Sequence, residues 1–366
     1  MAAEKLQTLS KAIQNIEKVR QSRQSRIKFN DKTITMSHGS GGTASRNMIE
    51  GMIIKIFSNT VLDKLEDSAI LQIKDTKLRL AFTTDSYVVS PIFFPGGNIG
   101  EMAVNGTVND LAVSGADPLW LSVSFILEEG FEIDELRRIL KSMRSAADKA
   151  GVLIVTGDTK VVQRGSADKI FINTAGVGVF QKKNVLSSAN VEPGDKILIS
   201  GSVGDHGIAV MLAREALEIE SDIQSDTAPL NGLISALLET TKEVHFLKDA
   251  TRGGVATVLN EIALNTNYAV AVDENAVPIR PEVNGACEIL GLDPLTIANE
   301  GCFVAVVGSN DAETAVQALQ SHSQGSDACI IGEVLEEPQG MVFLKTAFGG
   351  YRVLDMLVGD PLPRIC

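Results

Sequence analysis

Short apolar runs alternate along this sequence with longer amphipathic segments that end at glycine. In the first half, strands are predicted for LRLAFTTDSYVV, which starts at Leu78, and for PLWLSVSFIL, and a helix is predicted for EIDELRRILKSMRSAADKAG. The second half starts again with a strand, a glycine turn and a helix in DKILISGSVGDHGIAVMLAREAL. Because strands and helices interleave in both halves, the sequence predicts an α/β or α+β protein rather than an all-α one.

The domain organisation follows from the length and from one cluster of turn residues. A single core would be unusually large for 366 residues, so two domains are expected. The segment SANVEPGD combines proline, glycine and small polar residues and is the candidate boundary. The predicted parts are an N-terminal extension (1–30), a first domain (31–185), a second domain (190–350) and a mobile tail (351–366). The extension is interpreted as a solvated helix, with a basic arm for a partner as the alternative.

Charge and composition exclude several classes of function. The 33 Lys and Arg residues against 46 Asp and Glu residues give a net charge of −13, whereas nucleic-acid binding needs clustered positive charge. No apolar run approaches the roughly 20 residues of a membrane helix, and the start MAAEKLQTLSKAIQ has no apolar signal core. The four cysteines show neither a CxxC pair nor metal-ligand spacing, which is typical of reduced thiols. A cytoplasmic protein without nucleic-acid or membrane partners is therefore expected.

Two glycine-rich turns are candidate phosphate sites. The first, HGSGG (His38–Gly42), precedes a predicted helix, so its backbone N–H groups and the helix N-terminus favour an anion. It matches neither the P-loop nor the dinucleotide pattern, and a tight turn that needs positive φ is the alternative. The second, GSVGDHG (Gly201–Gly207), is more typical of a packing turn between a strand and a helix than of a second phosphate site.

Four isolated acids stand beside small residues at predicted strand ends or within a helix. They are Asp85 in TTDS, Asp110 in VNDL, Asp158 in GDTK and Asp249 in KDATRGG. Mg²⁺ prefers oxygen ligands and is often shared with substrate phosphates, although each acid taken singly is better explained as a cap or turn residue. Together with a glycine turn and without a P-loop, the four predict a magnesium–nucleotide site of unusual type, with Asp110 as a surface ligand.

The chain ends in a cysteine, Cys366. A prenylation signal is excluded, because that signal requires the cysteine four residues from the end. Pro361 and Pro363 disfavour helix, so the tail is predicted to be extended and able to reach across the surface. The residues alone leave both a functional and an incidental thiol open.

Several motifs taken together resemble one family. They are HGSGG, TTDSYVVSP, NGTVNDLAVSGADP, GDTKVV, GSVGDHG, DATRGG, ANEG and the terminal PRIC. The chain is similar in these motifs to the HypE family of hydrogenase maturation factors, which are carbamoyl dehydratases of the PurM-like (AIR synthase) superfamily. The similarity runs from about Ile34 to Cys366, and PRIC is its most specific motif. Residues 1–30 are longer than the family's usual start.

The resemblance implies two PurM-like domains and a homodimer built through the N-terminal domains, with ATP close to that interface. It also explains the missing P-loop, since this superfamily binds ATP with a glycine turn and acidic residues. On this basis ATP or Mg²⁺ binding is assigned to Asp85, Asp110, Asp158 and Asp249, and the flexible glycine loop to Gly41 and Gly42.

The resemblance also implies a reaction. The carbamoyltransferase HypF places a carbamoyl group on Cys366, the tail enters the ATP site, and phosphorylation of the carbamoyl oxygen permits loss of water to a thiocyanate. Lys160 and Glu300 match residues that assist the deprotonation, and an ordinary ion pair is their alternative explanation. The cyanide then passes to iron on a HypC–HypD scaffold complex.

Two other functions remain open at this stage. One keeps the ATP site but transfers phosphate to a small molecule, as in selenophosphate synthetase or thiamine-monophosphate kinase. The other is a carrier whose tail docks into a partner without nucleotide turnover.

Overall fold

The computed structural model describes residues 29–74, 76–181, 186–214, 221–359, 362 and 364–366. The predicted N-terminal extension therefore lies outside the described residues except for its last two. Within the described ranges, every helix is too short or too polar to span a lipid bilayer.

The described residues form nine α-helices and three sheets. The helices are α1 Thr43–Met48, α2 Ile54–Phe57, α3 Ile99–Val113, α4 Ile133–Ala150, α5 Asp205–Leu212, α6 Asn231–Thr240, α7 Gly254–Thr266, α8 Pro281–Leu290 and α9 Ala312–Gln320. The strands are β1 Ala69–Gln72, β2 Arg79–Tyr87, β3 Phe93–Phe94, β4 Gly97–Asn98, β5 Asp117–Glu128, β6 Leu153–Val162, β7 Ile170–Val179, β8 Lys196–Ile199, β9 Val244–Asp249, β10 Ala269–Asp273, β11 Phe303–Val307, β12 Cys329–Leu335, β13 Val342–Lys345 and β14 Tyr351–Val353. The prediction of a mixed class of strands and helices is confirmed.

The first large sheet has the strand order β1-β2-β7-β5-β6, with only β5 and β6 parallel. Helix α3 covers one face, packing against β2 and β7, and nearly all of its residues are buried. The approach is close, because a Cβ on Gly176 of β7 would lie 2.8 Å from the Thr107 side chain of α3. Strand β6 forms an edge of this sheet, and every residue but its last is exposed.

The second large sheet has the order β14-β13-β10-β12-β8-β11-β9 and carries helices on both faces. Helix α7 packs on one face, and α6 and α9 pack on the other. Along β11, Val304 and Val306 face the α7 side, whereas Phe303, Ala305 and Val307 face the opposite side. Cover on both faces explains why this strand is a continuous apolar run rather than an alternating one.

Helix α3 also joins the two halves of the chain. The Asn109 amide on α3 donates to the Ala228 carbonyl oxygen at 3.1 Å and accepts from the Leu230 N–H at 2.8 Å. These hydrogen bonds hold the first half of the chain against the segment that leads into α6.

The structure differs from the predicted elements in three places. The segment TITM, for which a short strand before the glycine turn is predicted, is instead irregular at residues 34 and 35, and a 3₁₀ turn at Met36–Gly39 leads into the glycine turn. Helix α6 and strand β9 lie in a region for which no element was predicted. Strand β14 pairs with β13, so the second sheet extends into the segment that was predicted as tail.

Candidate active site at the junction of the two domains

Three of the four predicted acids come together at this junction. Asp85 lies near the end of β2, Asp110 on α3 and Asp249 at the end of β9. Burial and the charges of Asp249, Asp67 and Asp85 raise the pKa of Asp110 well above its ordinary value. Burial and Asp67 likewise raise the pKa of Asp249, to about 7. The site therefore concentrates negative charge in a poorly hydrated place.

Asp110 is only partly exposed, rather than the surface ligand that was expected. The Thr83 hydroxyl donates to the Asp110 carboxylate at 2.8 Å and also contacts the Asp67 carbonyl oxygen at 3.0 Å. The expectation was wrong because α3 is enclosed on nearly all sides between the two sheets, which its sequence does not reveal.

A partly buried lysine balances part of the acidic charge. Lys248, the neighbour of Asp249, approaches the Asp67 carboxylate at 2.5 Å and that of Glu261 at 3.2 Å. Burial alone would lower the pKa of Lys248, but Asp67 and Glu261 together raise it well above its ordinary value. Lys248 is therefore a fixed positive charge beside the acids.

The glycine turn packs tightly against two other segments. Gly41 has φ +74°, and a Cβ there would lie 2.6 Å from the Arg252 carbonyl oxygen. A Cβ on Gly42 would lie 2.2 Å from the Leu357 carbonyl oxygen, which accepts a hydrogen bond from the Thr43 N–H at 3.1 Å. Both the positive φ and the close approach require glycine. A cavity of about 340 Å³ opens between this turn and the Asp249–Arg252 segment.

The end of the tail lies inside the molecule. Cys366 is 8% exposed and Glu300 is 3% exposed. Burial raises the pKa of the Cys366 thiol, the Arg252 guanidinium opposes this, and Glu300 adds to it through its charge and as a hydrogen-bond partner. A cavity of about 130 Å³ beside the thiol is lined in part by Gly39 and Arg252. The thiol is thus placed between the glycine turn and a buried carboxyl group.

The backbone of Glu300 is held by a hydrogen bond, and its carboxyl group is buried close to other acids. Burial, and then Asp85, Asp249 and Asp226, raise the pKa of Glu300 well above its ordinary value, and Arg252 lowers it. Its Oε2 atom has no hydrogen-bond partner among the described residues. A carboxyl group in this environment holds a proton readily and is a strong base once ionised.

Asp226 positions the Glu300 loop. Its two carboxylate oxygens accept from the Glu300 N–H at 2.9 Å and from the Gly301 N–H at 3.1 Å. Burial raises the pKa of Asp226 to about 7 despite these two hydrogen bonds.

Asp158 and Lys160 lie apart from this cluster. Both are exposed on the edge strand β6, where the Lys160 ammonium contacts the Asp158 carboxylate at 2.6 Å and lowers its pKa. Asp85 is in register with Gly157 through β7 and β5, so three strand spacings, about 14 Å, separate β2 from β6. A single copy of the chain leaves these two side chains paired with each other.

The second glycine turn has a packing role. Gly204 has φ +89° and precedes α5, and a Cβ on Gly207 would lie 2.4 Å from the Ile297 side chain. These contacts support the packing turn over the phosphate site.

Several residues of the junction were not found from the sequence. They are Asp67, Asp226, Lys248, Arg252 and His206. Arg252 lies within the quoted motif DATRGG and Lys248 directly precedes it, so that motif was the available signal for both. Asp67 and Asp226 are single acids in irregular segments, which carry no pattern.

In comparison with known proteins, two family models match this chain, one in each half. The family model of the AIR synthase related protein N-terminal domain matches residues 65–180, and that of the C-terminal domain matches residues 192–345. Carbamoyl dehydratase HypE of Rhizobium leguminosarum bv. viciae is 49% identical over 91% of this chain and 95% of its own. Carbamoyl dehydratase HypE of Escherichia coli K12 is 46% identical over 91% of this chain and 99% of its own.

Solved structures show the same similarity. Hydrogenase maturation protein HypE in complex with ATP has a TM-score of 0.76 at 46% identity, covering 91% of this chain and 100% of its own. A HypE–HypF complex contains a chain with a TM-score of 0.80 at 47% identity, covering 85% of this chain and 99% of its own. A thiamine monophosphate kinase from Aquifex aeolicus, at 17% identity and a TM-score of 0.61, shares the fold alone.

Proposed function

This chain belongs to the HypE family of carbamoyl dehydratases, among the AIR synthase related proteins, and from that premise we propose that it dehydrates an S-carbamoyl group on its own Cys366. The observation that supports this most directly is the burial of the C-terminal thiol against Glu300, beside the glycine turn and the acids. A phosphotransferase acting on a free small molecule would not need its own terminus in this place.

ATP is proposed to bind with its phosphates between the glycine turn, at Gly41 and Gly42, and the acids of the junction. A related HypE has been solved with ATP. Among the described residues, no three His, Cys, Asp or Glu side chains form a ready-made metal site. Mg²⁺ is commonly held by one or two carboxylates together with substrate phosphates.

The donor set fits a divalent cation, because burial and then the charges of neighbouring acids raise the pKa of Asp110 and of Asp249, so that added positive charge would stabilise the ionised carboxylates. Bound Mg²⁺ would neutralise charge on the phosphoryl group that is transferred. Asp158 is proposed as a further ligand, supplied where a second copy of the chain packs against β6.

The reaction begins with Cys366 carrying a carbamoyl group on its sulfur. The carbamoyl oxygen takes the γ-phosphoryl group of ATP, releasing ADP, and the nitrogen loses one proton. Loss of the second N–H proton and cleavage of the C–O bond then release phosphate and leave a thiocyanate on Cys366. ATP thereby removes the elements of water, since carbamoyl oxygen without phosphorylation is a poor leaving group.

Glu300 is proposed to accept a proton from the carbamoyl nitrogen. Among the carboxyl groups, Glu300 has the largest effect on the pKa of the Cys366 thiol, and a general base must lie within hydrogen-bonding reach of the proton it removes. Lys160 is proposed to act from the second copy, as a charge that positions the phosphates.

Partners follow from the same proposal. A HypF-type carbamoyltransferase would supply the carbamoyl group, in keeping with the related HypE–HypF complex. A HypC–HypD complex would receive the cyanide, and a homodimer through the first sheet would complete the ATP site. The cytoplasmic location stays a prediction.

The test is the mass of the intact protein through the two steps. The protein is carbamoylated with HypF and carbamoyl phosphate, freed of nucleotide, and then given Mg²⁺ and ATP. We expect a gain of one carbamoyl group and then a loss of one water, both localised to Cys366 by peptide mapping. Cys366→Ala should show neither change, whereas the matched control Cys329→Ala, at another free thiol, should show both.

Two outcomes would contradict the proposal. A carbamoyl group that ATP leaves in place would make the chain a carrier. An active HypF that leaves Cys366 unmodified would favour the phosphotransferase.

A further inference from the structure

The main chain of the tail is hydrogen-bonded at two successive carbonyl groups. The Arg364 carbonyl oxygen accepts from the Ser90 N–H at 3.1 Å and from the Arg214 guanidinium at 2.7 Å. The Ile365 carbonyl oxygen lies 2.9 Å from Nε2 of His206. None of these three contacts involves the side chain of Cys366.

The contacts of His206 determine which of its ring nitrogens carries the proton. A carbonyl oxygen only accepts, so Nε2 must donate to Ile365. Nδ1 is then free to accept from the Ser225 hydroxyl, which lies 2.8 Å away. Burial lowers the pKa of His206 to about 4, which keeps the ring neutral and this arrangement intact near neutral pH. The ring is also fixed by edge-to-face contact with Phe94.

Arg214 links the tail to the end of the first sheet. Its Nε donates to the Ser90 carbonyl oxygen at 2.7 Å while its Nη2 donates to Arg364. Arg364 itself has φ +57°, a left-handed conformation that a residue with a side chain keeps only when its surroundings hold it. The tail is thus held in one conformation rather than laid loosely on the surface.

Apolar contacts complete the binding site for the tail. Leu362 and Ile365 are buried in the same cluster as Ile208 of α5 and Ile297. Arg364 also forms an ion pair with Asp168 at the start of β7. Both domains therefore contribute to the place where the tail lies.

We propose that His206 and Arg214 are positioning residues that bind the main chain of the C-terminal tail and so seat Cys366 beside Glu300, whatever group its sulfur carries. The chemical purpose of this docking rests on the proposed function, whereas the binding of the tail by His206 and Arg214 does not depend on it. A tail that is bound through its backbone can be held while its cysteine carries different groups. The tail must also be released for modification, since a thiol that is 8% exposed is closed to another enzyme.

The experiment compares His206→Leu, which removes the donor, with His206→Gln, whose side-chain amide can still donate to Ile365. Two rates are measured: alkylation of Cys366 by iodoacetamide in the unmodified protein, and single-turnover dehydration of the carbamoylated protein at saturating ATP. For His206→Leu we expect alkylation about tenfold faster and dehydration about tenfold slower, the effect of one net hydrogen bond. His206→Gln should restore both rates, and ATP affinity should not change.

Arg214→Met provides a second test if His206→Leu folds poorly, and it should shift both rates in the same directions. The matched control is Lys196→Met, which removes a cation from a pair with Glu333 on the second sheet. Alkylation of Cys366 that is as slow in His206→Leu and Arg214→Met as in the wild type would overturn the proposal. The alkylation rate does not depend on dehydration, so failure of the proposed function would leave this test intact.

Discussion

At the scale of single residues, burial decides the chemistry of this site. Glu300 and Cys366 are ordinary residues in the printed sequence, yet each has its pKa raised because it lies in the interior close to other charges. Arg252 acts in the opposite sense on both side chains. The balance between burial and this one guanidinium therefore affects how readily each of the two groups gives up a proton.

Glu300→Gln tests the proposed base. The amide keeps the size and hydrogen-bonding capacity of the side chain but cannot take a proton, so carbamoylation should proceed while dehydration slows about a hundredfold or more. Intact mass should show the carbamoylated form accumulating in the presence of ATP. Glu333→Gln, at a surface ion pair, is the matched control. Normal dehydration by Glu300→Gln would remove Glu300 from the proton transfer.

His206 predicts a definite dependence of stability on pH. Its pKa falls from 6.5 to about 4 on folding, so the unfolded chain binds more protons between these values. The free energy of unfolding should therefore decrease as the pH falls from 6.5 to 4, by about 3 kcal/mol for this residue. Asp226, whose pKa is raised to about 7, acts in the opposite sense.

Denaturant unfolding of the wild type and of His206→Gln at a series of pH values isolates the histidine contribution. The stability difference between the two proteins should change in favour of His206→Gln as the pH falls. Parallel pH profiles would show that His206 does not resist protonation in the folded protein.

At the scale of elements, loops rather than helices or strands hold the reacting groups. The segment that carries Glu300 runs against Asp226, so closely that a Cβ on Gly301 would lie 1.8 Å from the Asp226 carbonyl oxygen. Two backbone N–H groups of that segment, those of Glu300 and Gly301, donate to the Asp226 carboxylate and so fix its backbone. The loop is therefore set by packing between segments far apart in the chain.

Gly301→Ala tests this packing. The added methyl group would force the two backbones apart, so the free energy of unfolding should fall by about 1–3 kcal/mol or more. Gly285→Ala is the matched control, because a Cβ there meets nothing within 4 Å and the position is helical. Thermal unfolding of both variants is the measurement. Equal midpoints for Gly301→Ala and the wild type would contradict the described approach.

At the scale of the whole molecule, the exposed edge of the first sheet is the feature that needs a partner. Strand β6 leaves Leu153, Val155 and Val161 between 58% and 68% exposed beside an unpaired strand edge. Soluble proteins usually cover or charge such edges, because they pair readily with other strands. A second copy of the chain is the proposed cover.

Val155→Lys should therefore shift the protein from dimer to monomer in light scattering coupled to size exclusion. Ile289→Lys, which charges an exposed position on α8 in the second half of the chain, is the matched control and should stay dimeric. A wild-type protein that is monomeric would contradict the homodimer, and with it the supply of Asp158 and Lys160 from a second copy.

Periodicity predicted most elements because it follows directly from local geometry. Helix α4 and the strands β2, β5 and β8 are all present where the apolar spacing predicted them. Strand β9 was missed because His245 and Lys248 interrupt its apolar residues. Its burial comes from strand β11 and from the helices on the two faces of the sheet, which the local pattern does not contain.

The sequence by itself determined the class of fold, the motifs of the family and the acids and cysteine that those motifs contain, since these depend on residue type and spacing. Only the tertiary structure decided which of them meet. Asp85, Asp110 and Asp249 converge from a strand, a helix and another strand, whereas Asp158 and Lys160 stay about 14 Å across the sheet. It likewise decided that Cys366 lies against Glu300 and that His206 contacts the tail. Such contacts join residues far apart in the chain, and their energies arise from burial and long-range charge that no local pattern encodes.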